Sequence, residues 1–240
     1  MVDYWPTFAT GGEDISGANF LMLFNPSTRK LIYKFNLTTI TQARYGGFQD
    51  LEFDPSGNVY IVGEYPSCIL RVDSKGKDIT NWYLNTTAAN HTIAGFTGLA
   101  AKEWTLLASH SSEGSLFRFD MRKPRGIPHP VRISPAHKIE SPDAIQLPPR
   151  YNGTVLLVAE LFKGVSVFWD RKGKWEAAKY LGLVPWLETT VAVVTAPVQV
   201  GDAVYMNLIP FGSAPGGGAG NQTDFLYYDI TDKVDALLAK

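Results

Sequence analysis

Cysteine is all but missing: Cys68 stands alone in 240 residues, so no internal disulfide staples this chain. Histidine is scarce too. Of the four, His91, His129 and His137 read as loop residues, and His110 by itself cannot build a Ser-His-Asp triad. HExxH and CxxC metal patterns do not occur, and neither does a GxSxG nucleophile elbow. Neither sign of charge is in excess. Lys and Arg total 22 against 23 Asp and Glu, for a net charge of −1, and the basic residues are scattered. Nothing therefore draws the chain to nucleic acid or an anionic membrane, and neither is an expected partner. No apolar run reaches the roughly 18 residues of a membrane span.

What is abundant is glycine, with 22, and aromatic residues, at 12%, a composition that fits a turn-rich, strand-rich protein. At 26.4 kDa the chain is long enough for one sizeable core, and residues 1–240 are read as one domain. Asparagine is patterned. Five of its ten residues, Asn36, Asn85, Asn90, Asn152 and Asn221, lie in N-x-S/T form, which points to glycosylation in the secretory pathway. The amino terminus, MVDYWPTFATGG, has no basic or apolar leader region. Either a leader is missing or the sequons are chance, and the former is favoured.

Self-similarity decides the fold class. GFQDLEFD (47–54), GFTGLAAK (95–102) and SPDAIQLP (141–148) stack as the first strand of successive units. VYIVGE (59–64), TLLASH (105–110) and VLLVAE (155–160) follow as second strands, and CILRVD (68–73), SLFRFD (115–120) and VSVFWD (165–170) as third strands. ITNWYL (79–84), HPVRI (129–133) and WEAAKYL (175–181) are weaker fourth strands, and a further unit runs through TAPVQV, DAVYMNL and DFLYYD. Short strands repeating every 46 to 50 residues predict an all-β protein, a β-propeller of four-stranded antiparallel blades. Blade repeats fall at roughly 1–40, 46–88, 94–135, 140–185 and 190–240, so about five blades are visible. The first holds only NFLMLFN (19–25) and LIYKFNL (31–37), with Asp3-Tyr4-Trp5-Pro6 in the place of Glu64-Tyr65-Pro66. Its inner strands are missing, which predicts a chain truncated at its N-terminal side. DKVDALLAK (232–240) is expected as a short helix with Val234, Leu237 and Leu238 on one side.

In this frame Glu64, His110, Glu160 and Asp3 end second strands, while Asp50, Thr97 and Asp143 sit near the starts of first strands. All are expected to face one end of the central funnel, where gathered ionisable groups shift each other's pKa or transfer protons. The aspartates that close third strands, Asp73, Asp120, Asp170 and Asp229, read instead as turn formers. Aromatics share the funnel face: Tyr4, Trp5, Tyr65, Phe162 and Phe211 follow second strands, and Phe48, Phe96 and Trp186 precede first strands. Such a lining suits a mainly apolar small molecule. FGSAPGGGAGNQT (211–223) leaves the same face as a lid or an idle loop; it lacks the GK[ST] of a phosphate loop.

With DLEFDPSGNVYIVGEYPSCILRVDSKGK (50–77) and SPDAIQ (141–146) in view, the chain resembles the gluconolactonase/regucalcin-like six-bladed propellers. DYWPTF, the sequons and the Gly-rich loop bring it nearest the fungal natural-product-cluster branch, which includes trichothecene-cluster propellers and hetero-Diels–Alderases. The gluconolactonase resemblance implies one divalent cation held by Glu, Asn and Asp, and lactone hydrolysis. Only Asp143 matches a ligand motif, with Ala144 where those enzymes have glycine, and Gly98-Leu99 follows Thr97 rather than asparagine. The cyclase branch implies an apolar funnel that folds a reactive intermediate and polarises it, without a metal.

The expected function is a cyclase or pericyclase of fungal secondary metabolism, acting on an apolar terpenoid or polyketide in the secretory pathway or outside the cell. Its catalytic candidates are Glu64, His110, Glu160, Asp50 and Asp143. Its substrate-binding candidates are Trp5, Phe48, Tyr65, Phe96, Thr97, Phe162, Asn207 and Phe211. No cofactor is expected. The alternatives are a lactonase holding Ca²⁺ or Mg²⁺ on Asp50, Asp143 and Glu160, and a non-catalytic interaction scaffold.

Overall fold

The computed structural model describes residues 1, 4–87, 90–186, 192–210 and 223–240. Asp3, Phe211, Asn221 and nearly all of the Gly-rich segment lie outside them. Among the described residues the strands form five sheets. The first pairs β1 (Phe20–Asn25) with β2 (Lys30–Asn36). The second holds β3 (Gly46–Phe53), β4 (Val59–Tyr65), β5 (Cys68–Val72) and β6 (Ile79–Leu84) in chain order. The third holds β7 (Phe96–Lys102), β8 (Thr105–His110), β9 (Ser115–Asp120) and β10 (His129–Pro130). The fourth holds β12 (Pro142–Gln146), β13 (Val155–Glu160), β14 (Gly164–Trp169) and β15 (Ala177–Pro185), with β11 (Arg132–Ser134) added at its outer edge. The fifth holds β16 (Ala192–Val200), β17 (Ala203–Pro210) and β18 (Tyr227–Asp229). Short helices α1 (Pro6–Ala9), α2 (Leu37–Ile40) and α3 (Thr231–Leu238) complete the chain.

The near-continuous apolar second strands follow from burial on both faces. Along β4, Val59 and Ile61 enter the cluster shared with Leu21, Leu37 and Phe48, while Tyr60 and Val62 enter the one shared with Phe96, Leu106 and Ala108. The alternation continues. Leu107 meets Leu156 and Val158, and Val155, Leu157 and Ala159 meet Val204, Met206 and Leu208. Four apolar layers thus lie between five successive sheets, as the period-two geometry of a strand requires. The innermost strands contact one another in the order β3, β7, β12, β16. This is the all-β propeller that the repeat predicts.

Three local expectations are corrected. Residues 129–133 are not one strand, because Pro130 has no N–H to extend the ladder. The chain leaves there, and β11 crosses to pair parallel with β15 of the next sheet. The fourth strand read at 175–181 runs instead over Ala177–Pro185. Trp5-Pro6 does not end a strand either: Trp5 is already in right-handed helical conformation and Pro6 begins α1, a position proline favours. The turn aspartates behave as read. Asp73 accepts the Lys75 and Lys77 N–H groups at 2.8 Å, Asp120 that of Arg122 at 3.1 Å, Asp170 that of Lys172 at 2.9 Å and Asp229 that of Thr231 at 2.9 Å. The predicted C-terminal helix is α3, whose Val234, Leu237 and Leu238 pack on the last apolar layer.

Candidate functional site

Each innermost strand breaks register near its start. The breaks fall between Phe48 and Asp50, Phe96 and Leu99, Pro142 and Ile145, and Val194 and Ala196. Just before them, Phe48 opposes Gly63, Phe96 opposes His110, Pro142 opposes Glu160 and Val194 opposes Leu208. These pairs are equivalent, so the next residues, Gln49, Thr97, Asp143 and Thr195, form one column at the bulges. A bulge re-aims its side chain. Gln49, Thr97 and Asp143 all line one cavity of about 570 Å³. Past the second strands the matching column is Glu64, Ser111 and Leu161, and these line the same cavity. Trp5, Phe8, Tyr65 and Phe162 add an aromatic wall, with Trp5 45% and Phe162 73% exposed at the mouth.

The pairings also show why His110 and Glu160 are elsewhere. Glu64 was stacked on His110 and Glu160, but the pairs just given match Gly63 to both. A slip of one residue turns a side chain to the other face. His110 consequently packs in the apolar layer, with its ring 5.0 Å from Phe96 and 5.8 Å from Phe117. Burial pushes its pKa down, against the upward pull of Glu113. Glu160 is 1% exposed and accepts bonds from the Ser166 hydroxyl and, at 2.8 Å, from the Glu140 N–H. His137 stands 3.5 Å from it, stacked on Tyr180 at 3.7 Å between ring centres. Glu160 therefore ties the 137–140 connection to its sheet and does not face the cavity. Phe48 and Phe96 are buried in apolar layers and are also removed from the substrate-binding set.

Asp50 plays a different part from the one predicted. One carboxyl oxygen accepts the Leu51 N–H at 2.8 Å, and the other accepts the Leu99 N–H of β7 at 2.7 Å. It joins two innermost strands that no ladder connects. Asn207 points its amide at Thr195, 3.5 Å away, while its own carbonyl oxygen is buried without a partner. Neither residue lines the cavity. Asp50, Asp143 and Glu160 are not brought together, and no cluster of three His, Cys, Asp or Glu able to hold a metal occurs among the described residues. The divalent site of the lactonase reading does not fit these side chains.

Inside the cavity the polar groups form a chain. The Gln49 amide donates to Glu64 at 3.0 Å and to the Thr97 hydroxyl at 2.6 Å. Ser111, on the same wall, favours the charged form of Glu64. Burial pushes the carboxyls of Glu64 and Asp143 up to about 7; for Glu64 the Asp143 charge adds to the rise, and Ser111 and Gln49 oppose it. Burial raises Asp50 to about 7 as well, against the pull of its two N–H partners. Tyr65, buried beside Glu64, is pushed up to about 12. Near neutral pH the cavity therefore presents a carboxyl that can donate as well as accept. Phe8, Gln49, Ser111 and Leu161 were missed from sequence. The gapless stack of GFQ, GFT and SPD places Gln49 beside Thr97 and Asp143, which is the signal that identifies it.

Two fungal proteins align with essentially the whole chain. "Trichothecene biosynthesis protein 14" of Trichoderma arundinaceum is 32% identical over 245 aligned positions, covering 100% of this chain and 67% of that protein. The chain belongs to the trichothecene cluster protein 14 family. "Core trichothecene cluster (CTC) protein 14" of Fusarium sporotrichioides is 30% identical, covering 99% of this chain and 64% of its own length. The chain thus spans about two thirds of each relative in this family. No protein-family model matches the chain. Among solved structures, the Malassezia sympodialis allergen Mala s 1 superposes with a TM-score of 0.74 at 19% identity, over 95% of this chain and 71% of that one. That likeness shows the propeller fold. The resemblance to the trichothecene-cluster branch is borne out by both relatives.

Proposed function

We propose that this protein binds an apolar small molecule in the cavity on the Glu64 face and promotes its ring closure in fungal secondary metabolism. One observation carries the reading: an aromatic-walled space of about 570 Å³ ends on a buried carboxyl whose orientation Gln49 sets. Trp5, Phe8, Tyr65 and Phe162 would hold the substrate folded and dry, which supplies orientation. Protonated Glu64 would hydrogen-bond or protonate a substrate oxygen where charge develops, and Asp143 would accept a proton across the same space. Membership in a family whose two relatives are named for trichothecene biosynthesis supports the metabolic setting.

The test uses metabolites extracted from a fungal strain lacking the chain. Purified wild-type protein should convert one metabolite to a ring-closed product, and Glu64→Gln should do so about 100-fold more slowly. Binding of the extract with no conversion, or unchanged conversion by Glu64→Gln, would sink the catalytic reading.

A secretory route is proposed with it. The sequon residues Asn90 and Asn152 are exposed, whereas Asn36 is half-buried and caps α2 by accepting the Thr39 N–H. Enzymatic deglycosylation of native protein should lower its mass through the exposed pair, and an unchanged mass would remove the proposal.

A further inference from the structure

The cavity is unbalanced in charge. Glu64 and Asp143 line it, and among the described residues no lysine, arginine or histidine does. Basic groups around it are committed elsewhere, among them His91, whose ring nitrogen bonds the Gly12 carbonyl at 2.5 Å. Lys163, in the turn that carries Phe162, pairs with Glu140 at 2.6 Å. His110 stands behind Phe96 with Glu113 at 3.8 Å. Behind the cavity floor, Asp50 and Glu52 on β3 add acid, not base, and the Tyr65 hydroxyl is the other titratable group beside Glu64. Buried carboxylates are costly without a counter-charge. When the space is empty the two relieve that cost by staying protonated to near neutral pH, because burial raises each to about 7. Aromatic faces on Trp5, Phe8, Tyr65 and Phe162 complete the wall, and such faces attract cations.

We propose that this cavity selects an apolar molecule carrying one positive charge, such as an alkylated ammonium, seated between the aromatic mouth and the Glu64–Asp143 pair. The proposal rests on the cavity being the small-molecule site and names the ligand class that site takes. A bound cation compensates an ionised Asp143, whose charge in turn favours the protonated form of Glu64. A neutral isostere gains the same apolar contact and leaves the carboxyl pair uncompensated.

Choline and 3,3-dimethyl-1-butanol test this, since they differ in a quaternary nitrogen against a quaternary carbon. Both are titrated calorimetrically into the full chain at pH 8.5 and pH 5.5, alongside the neutral dye N-phenyl-1-naphthylamine. At pH 8.5, with the carboxyls ionised, choline should bind at least about tenfold tighter than the alcohol. At pH 5.5, with both protonated, the advantage should vanish. Asp143→Asn should cut that advantage at pH 8.5, and Glu64→Gln serves if that variant fails to fold. Equal binding of the two probes at pH 8.5, or an advantage that survives in both variants, overturns charge selection. If the dye and the alcohol bind without any preference for choline, charge selection fails and the small-molecule reading stands. If none of the three binds, both fall.

Discussion

Asp143, Glu64 and Asp50 are all held protonated to higher pH than ordinary carboxyls, yet substitution should move stability in opposite directions. Asp143 is raised to about 7 chiefly by burial, with only the Ala144 N–H to oppose it. A carboxyl raised on folding adds stability below its unfolded pKa and loses it as pH climbs through the folded value. Between about pH 4 and 7 the Asp143 contribution therefore drains away. Asp143→Asn should be more stable than wild type at pH 8 by about 2 kcal/mol, a figure discounted for an open cavity, and indistinguishable at pH 3.5. Thermal melts at the two pH values decide this, and a gain at both would show that burial of the charge is not the cause. Asp50 has the same raised pKa but serves two backbone N–H groups. Asp50→Ala strands them, so it should lose on the order of 1–3 kcal/mol at pH 8 in urea denaturation.

At the scale of elements, the seams between blades are not alike. Asp50 bridges β3 to β7 by side chain, whereas β7 and β12 meet through backbone at Gly98. A methyl group there would come within 2.5 Å of the Asp143 carbonyl oxygen and 2.9 Å of the Ile145 nitrogen. Ser109 fills the remaining gap, accepting the Gly98 N–H at 3.1 Å. Gly98→Ala should push the two strands apart, cost on the order of 2–3 kcal/mol, and weaken dye binding because Thr97 and Asp143 flank the seam. Wild-type stability in this variant would mean that the strands separate freely. Helix α3 is anchored differently. Asp235 accepts the Tyr151 hydroxyl at 2.8 Å and Arg150 at 2.9 Å, both from the short turn after β12. Asp235→Ala should cost only about 1 kcal/mol in denaturant midpoint, since the pair is partly exposed and Val234 keeps the helix docked. Complete loss of folding would contradict that division of labour.

Across the whole molecule, one frame is repeated and different side chains are placed in it. The bulge column reads Gln49, Thr97, Asp143 and Thr195, and the exit column Glu64, Ser111, Leu161 and Ile209. Equivalent backbone positions thus give a donor amide, a hydroxyl, an acid and an apolar surface around one axis. That asymmetry lets a repetitive fold build a directional site. It also concentrates acid on one side of the axis without a basic partner, and from this the preference for a cation follows.

The propeller was legible because its cause is local and repeated: alternation along strands, aspartate turns and apolar second strands recur with one period, and stacking each sheet on its neighbours buries both faces. Glu64, Tyr65, Thr97, Asp143, Trp5 and Phe162 were placed at the cavity by that frame. His110 and Glu160 were not legible as core residues, because strand-end polarity looks the same whichever face it turns to. Only the pairing of Phe96 with His110 and of Pro142 with Glu160 settled the face. Sequence alone determined the period and the composition of each strand. Tertiary structure decided register, since strand pairing is a contact between distant segments, and a shift of one residue exchanges cavity for core.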